Sequence, residues 1–317
     1  MFTTDKRFEA GVEIISLRDE LSGTYIEVIP SWGGILHGYF VKIHNDLLNV
    51  IDSIDLIDGF IGIEASGFQG CKLSPFVCRL ENGQYFFGGK KYKVVKYYQG
   101  KNALHGLLYD LPFEVVRLQA GDENASLEIK CEYNGSDPGY PFKYSCHVVY
   151  QLGKENKVEV TTKCLNKDVG LIPIQDGWHP YFSLGDKLDN LELEFQAKEM
   201  VVFDDQLIPT GVLKPYDDFN VLRFFGDTFF DNCFTLNLAE CQPMCVLRNP
   251  AKKIEIQIMP DNSYPYLQFY TPSHRNSIAI ENISSAPNAF NNDMGERVLE
   301  PGETAIFRTC YKVNNLP

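Results

Sequence analysis

The sequence has 317 residues and a mass of 36.0 kDa, 44% hydrophobic and 22% charged, the balance of a folded chain with a large core and not of a disordered one. Its formal net charge of −13 and its scattered lysines and arginines exclude the basic stripe that a nucleic-acid partner requires. A neutral small ligand suits that bulk charge better than an anionic one, unless a local pocket of Arg and Lys overrides it.

The first residues, MFTTDKRFEAGVEII, carry charges where a secretory signal needs an apolar run, and no stretch reaches the ~20 apolar residues of a membrane span. A cytoplasmic chain with no membrane partner is expected. Along the chain, apolar and polar residues alternate at period two in Val12 to Ser16, Tyr25 to Ile29, Ser126 to Tyr133, Tyr144 to Leu152, Lys157 to Cys164, Leu191 to Phe195, Lys253 to Met259 and Thr304 to Val313. Each predicts a strand with one buried face. Between the runs stand turn residues, as in Asn134 to Gly139 and Asn249-Pro250, and Gly88-Gly89-Lys90-Lys91 reads as a hairpin turn with solvated lysines. The best helical candidate, Ser53 to Ile61, is short. Many strands without intervening helices, repeats or linkers predict an all-β chain, a single large antiparallel β-sandwich domain over residues 1–317. The nine cysteines are irregularly spaced, with Cys241 and Cys245 the closest and no CxxC pair. They read as reduced, mostly buried thiols and not as a metal or disulfide framework.

Two of the six histidines sit in segments unlike plain strand, Asn102-Ala-Leu-His105-Gly106 and Gly177-Trp-His179-Pro-Tyr-Phe182. Pro180 biases His179 toward extended backbone and withholds a strand donor, which predicts a strand end or loop rim, where a rigid scaffold carries function. Taken alone, His179 reads equally as a core ring among Trp178, Tyr181 and Phe182 or as a proton carrier beside a sugar platform. An imidazole with an ordinary pKa near ~6.5 can give and take a proton near neutrality. The partner of opposite role is Glu281. In Ser277-Ile-Ala-Ile-Glu281 the isoleucines face one way, so Ala279 and Glu281 face the other. A carboxylate at the end of a short apolar strand can be desolvated and raised in pKa toward use as a base; an ordinary surface glutamate is the competing reading. Arg79, between an apolar run and a turn, and Asp231, within Phe229-Phe-Asp-Asn-Cys-Phe234, could hold sugar hydroxyls, and a surface salt bridge explains either equally well. Asp176, beside the histidine segment, has no role from pattern. GxGxxG, P-loop, HExxH and GxSxG motifs are all missing, which leaves dinucleotide, nucleotide, zinc-peptidase and serine-hydrolase chemistry without support.

In chain order, Lys72 to Gly83 with Phe87 to Tyr92, Asn102 to Gly106, Gly177 to Leu184, Phe230 to Phe234, Leu267 to Pro272, Ile280-Glu281 with Ala286 to Asn288, and Leu299 to Glu303 resemble segments of the aldose 1-epimerase family, the galactose-mutarotase-like proteins. The resemblance implies an antiparallel β-sandwich with an open cleft, and cofactor-free interconversion of the α and β anomers of a small-molecule sugar. It puts Glu281 at the catalytic base, His179 at the catalytic acid, and His105, Arg79 and Asp231 at sugar-holding positions. In that mechanism His179 starts protonated and Glu281 ionised. The chain departs from the best-known galactose mutarotases at Gly106-Leu107, where they have two glycines, in GWHPYFSL, and at Cys78, which replaces an Asn. Two alternatives accompany this reading. One is a hexose 6-phosphate substrate, with Lys72, Arg79 and Arg275 as the cations available to hold the phosphate. The other is a non-catalytic carbohydrate-binding protein on the same scaffold.

Overall fold

The computed structural model describes residues 1–43, 46–56, 62 and 67–317. All eight predicted strands form, extended by a few residues at some ends, as in Val12–Asp19, Asn124–Asn134 and Thr304–Asn315. Among the described residues the only helical turns are the short 3₁₀ segments Glu81–Gly83 and Leu188–Asn190. Of the helix expected over Ser53 to Ile61, Ser53 to Leu56 are non-helical, and residues 57–61 lie outside the described residues. The Gly88-Gly89 hairpin is observed: Gln84–Phe87 pairs with Lys90–Lys93, and both glycines take positive φ, as the tight two-residue turn demands.

Two large antiparallel sheets build the sandwich. One runs in the order Glu114–Ala120, Asn124–Asn134, Lys143–Gly153, Lys157–Asn166, Thr304–Asn315, Ile254–Pro260, Cys245–Asn249, Glu192–Phe195, Arg223–Phe224. The other runs Pro209–Pro215, Ala197–Phe203, Asp231–Leu236, Tyr266–Tyr270, Ile278–Ile283, Gly177–His179, Cys71–Leu73, with Tyr181–Phe182 also paired to Ile278–Ile283. Side chains alternate across each sheet, so each buries one row against the other. Phe195 of the first meets Phe269 and Phe234 of the second at ring separations of 4.5 and 4.9 Å, and Tyr311 meets Phe182 at 5.5 Å. A meander of five strands from Phe2–Glu9 to Asp46–Asn49 adds Ile15, Leu17, Ile26 and Val28 to the same apolar cluster.

Several strands that sequence alternation does not reveal are either exposed or too short to carry it. Glu114–Ala120 and Pro209–Pro215 end their sheets and are largely exposed, so neither carries a buried row. Cys71–Leu73, Gly177–His179 and Tyr181–Phe182 are too short to show a period. Of the cysteines, seven are buried, Cys310 is half-buried and Cys241 exposed, all as free thiols.

Candidate active site

The outer face of the second sheet is set by its register. Asp231 stands opposite Tyr270, Tyr270 opposite Ala279, Gln268 opposite Glu281, Gly177 opposite Ile283, and His179 opposite Cys71. Because cross-strand partners share a face, Asp231, Gln268, Tyr270, Glu281 and His179 all point the same way. Their neighbours Phe234, Leu267, Phe269, Ile278 and Ile280 point into the sandwich core. The expected division between Glu281 and the two isoleucines is therefore observed.

A small three-stranded sheet, Tyr98–Gln99, Asn102–Leu104 and Arg79–Leu80, stands against this face. It contributes Arg79 and Gln99, and His105 directly follows its middle strand. His105 has φ 61°, and its N–H donates to the Cys78 carbonyl at 2.9 Å. Gly106 follows at φ 80°, packed so closely on the Ser74 backbone that a Cβ would overlap the carbonyl, which explains glycine after the histidine.

Between the two sheets lies a cavity of about 330 Å³ whose lining includes all five predicted site residues, Arg79, His105, His179, Asp231 and Glu281. His179 Nε2 is 3.4 Å from Glu281 Oε1, with both side chains almost fully buried. The His105 ring meets His179 edge-on at 4.9 Å, and Tyr181 stacks on His179 at 5.0 Å. At the rim, Arg79 Nη2 donates to Gln99 Oε1 at 3.3 Å and approaches Asp231 Oδ2 at 4.0 Å, while Gln268 Nε2 donates to Asp231 Oδ1 at 3.1 Å. His105 Nδ1, His179 Nδ1 and Gln268 Oε1 are buried at this cavity without a partner in the protein, a feature that needs a functional explanation.

Burial dominates the electrostatics. It pushes Glu281 well above the carboxylate range, helped by the nearby Asp231 charge and opposed by Arg79 and the Cys78 thiol. The same desolvation lowers His179 to about 4, and lowers His105 well below the usual range. Burial also raises Asp231, against Arg79. These shifts run opposite to the expectation of a charged His179 beside an ionised Glu281: burial favours the neutral form of each group.

The aromatic segment divides by alternation. Tyr181 is cavity wall, whereas Trp178 packs edge-on against Tyr150 at 5.6 Å and Phe182 lies in the core. Asp176, without a role in the sequence, is fully buried and paired with Lys72. It accepts from the Tyr264 hydroxyl at 2.6 Å, and Lys72 also donates to the Gly177 carbonyl at 3.0 Å and lies 4.5 Å over the Trp178 ring. Lys72 is thus a strut beneath the histidine strand and not a cation of the cleft. Arg275 is likewise engaged elsewhere, with Asp189 at 3.0 Å and the Thr228 carbonyl at 2.9 Å. Of the three cations considered for a phosphate, Arg79 alone lines the cavity. Sequence reasoning gave no role to Gln99, Gln268, Tyr270 or Cys78; for Gln268 and Tyr270 the signal was present, since Leu267-Gln-Phe-Tyr270 alternates core and cavity residues.

The chain resembles known proteins along nearly its whole length. The family model described as aldose 1-epimerase matches residues 14–312. An uncharacterised protein of Escherichia coli K12 is 25% identical over 76% of this chain and 78% of its own length. A maltose epimerase of Levilactobacillus brevis is 21% identical over 92% of each. The crystal structure of a galactose mutarotase-like protein from Clostridium acetobutylicum superposes with a TM-score of 0.86 at 16% identity, covering 99% of both chains. With a family match running through nearly all of its length, from the second strand to the last, the chain belongs to the aldose 1-epimerase family.

Proposed function

We propose that this chain is a mutarotase, an aldose 1-epimerase that interconverts the α and β anomers of a free hexose, acting as a single domain. The observation that carries the reading is the Glu281–His179 pair, 3.4 Å apart in a cavity rimmed by Arg79, Asp231 and Gln268. The anomeric hydroxyl and the ring oxygen of a pyranose are bonded to the same carbon, so an acid and a base that serve both must stand this close together.

Glu281 takes the proton of the anomeric hydroxyl as His179 delivers one to the ring oxygen; the bond from the anomeric carbon to the ring oxygen breaks and the aldehyde forms. Rotation about the bond between the first two carbons presents the other carbonyl face. The ring oxygen attacks it, returns its proton to His179, and Glu281 restores the anomeric hydroxyl, so no proton is gained or lost. The pair must hold one proton in total. The forms with that proton on Glu281 or on His179 differ by a short transfer, and burial favours the former until a sugar hydroxyl enters. His105, Arg79 and Asp231 hold the remaining hydroxyls, and the Tyr181 ring covers an apolar face of the sugar.

A free sugar is favoured over a hexose 6-phosphate because Arg79 is the one nominated cation at the cavity. Similarity to a maltose epimerase adds a disaccharide to the panel worth testing. Cytoplasmic operation fits the free thiols. The test is anomer exchange of glucose, galactose, maltose and glucose 6-phosphate followed by NMR. Acceleration of a neutral sugar, reduced about 10²–10⁴-fold in Glu281→Gln and in His179→Asn, is the expected result. Sugar binding without acceleration would establish a binding protein instead, and faster exchange of the phosphate would reject the free hexose.

A further inference from the structure

Cys78, His105 and Glu281 come from three separate segments and bring a sulfur, an imidazole nitrogen and a carboxylate oxygen within 4.8 Å of one another. They are 3%, 7% and 2% exposed. The Cys78 thiol is directed at Glu281 Oε2 at 3.9 Å, and His105 Nδ1 has no partner in the protein. The backbone holds the first two donors in place: Cys78 and His105 both take left-handed φ, 48° and 61°, and are joined by the bond from the His105 N–H to the Cys78 carbonyl.

A mixed sulfur, nitrogen and oxygen set suits zinc and similar borderline-soft ions, whereas calcium and magnesium favour oxygen alone. All three residues line the cavity, so a fourth position would remain open toward it. A second trio, Cys146, Cys164 and Asp176, shows the contrast, because there the Lys72 ammonium and the Tyr264 hydroxyl already occupy the carboxylate.

We propose that Cys78, His105 and Glu281 form an inhibitory site for zinc or a similar divalent ion, which withdraws Glu281 from proton transfer and obstructs the sugar. The inhibition rests on the catalytic reading of Glu281; the binding does not.

The experiment is titration of the intact protein with zinc alone, by calorimetry and by competition with a chromophoric chelator, beside Cys78→Ser and His105→Ala. Loss of a mere supporting partner weakens metal sites about 10–100-fold, so loss of a ligand in either variant should weaken zinc at least that much. Cobalt bound to the unmodified protein should show thiolate charge-transfer absorption that Cys78→Ser lacks. Zinc should also slow anomer exchange, with recovery on adding a chelator. Failure of zinc to bind, or equal binding in both variants, as at the exposed Cys241, would overturn the proposal. Because affinity and the cobalt spectrum are read without turnover, a chain that binds zinc here yet does not accelerate exchange would sink the proposed enzymatic activity alone. Should one variant fail to fold, the other still decides the comparison.

Discussion

Desolvation acts in opposite directions on the two groups that face each other in the cavity: it lowers His179 to about 4 and raises Glu281 well above its ordinary value. A pair that works with one proton is overprotonated below the lower value and empty above the higher one. Activity should therefore rise through about pH 4 and fall as pH passes the raised value of Glu281, a bell whose acid limb lies below that of an unperturbed imidazole. Rate measurements across pH, with a chelator present, check this; an acid limb near ~6.5 would show that His179 is not desolvated in the working enzyme. In Glu281→Gln the alkaline limb should vanish along with most of the rate.

Alternation along single strands assigns residues that composition leaves ambiguous. Replacing Trp178 by alanine should cost stability, about 3–5 kcal/mol in urea unfolding, because its ring fills core against Tyr150. Tyr181→Ala also removes a buried ring, whose hydroxyl donates to the Gly67 carbonyl, but should in addition weaken turnover roughly two- to tenfold, the scale of one lost ring stack, because that ring faces the cavity. Beneath them, Asp176→Asn would leave the Lys72 ammonium buried without its counter-charge, at a cost of about 3–5 kcal/mol. The Lys72→Met, Asp176→Leu double variant should recover part of it, measured by the same unfolding curves. The long strands and the facing of Glu281 were legible in the sequence because a half-buried strand writes its period into its residues. The Lys72–Asp176 pair was not: its partners are far apart in sequence, and only the pairing of Gly177–His179 with Cys71–Leu73 brings them together. The sequence also could not show how far burial would shift His179, because desolvation depends on rings such as Tyr181 and His105 that arrive from the fold.

For the molecule as a whole, the net charge of −13 and the lone cavity arginine act together on an approaching ligand. Glucose should be preferred to glucose 6-phosphate in kcat/KM, and the preference should narrow as salt rises from about 0.01 M to about 1 M, where screening shortens from ~30 Å to ~3 Å. A preference independent of salt would assign the discrimination to local fit. The two sheets that meet at the cavity also differ in how they are held. Glu281 and His179 sit within the second large sheet, and Glu281 lies on a strand paired along both edges. Arg79 and Gln99 belong to a separate small sheet of short strands laid over it, and His105 directly follows its middle strand. On the proposed mechanism, the proton-handling pair and one wall of the sugar site, though not Asp231 or Tyr181, are thus carried by different parts of the fold. An exchange of the segment from Arg79 to Gly106 among relatives would be expected to transplant taste for a sugar while the reaction itself stays put.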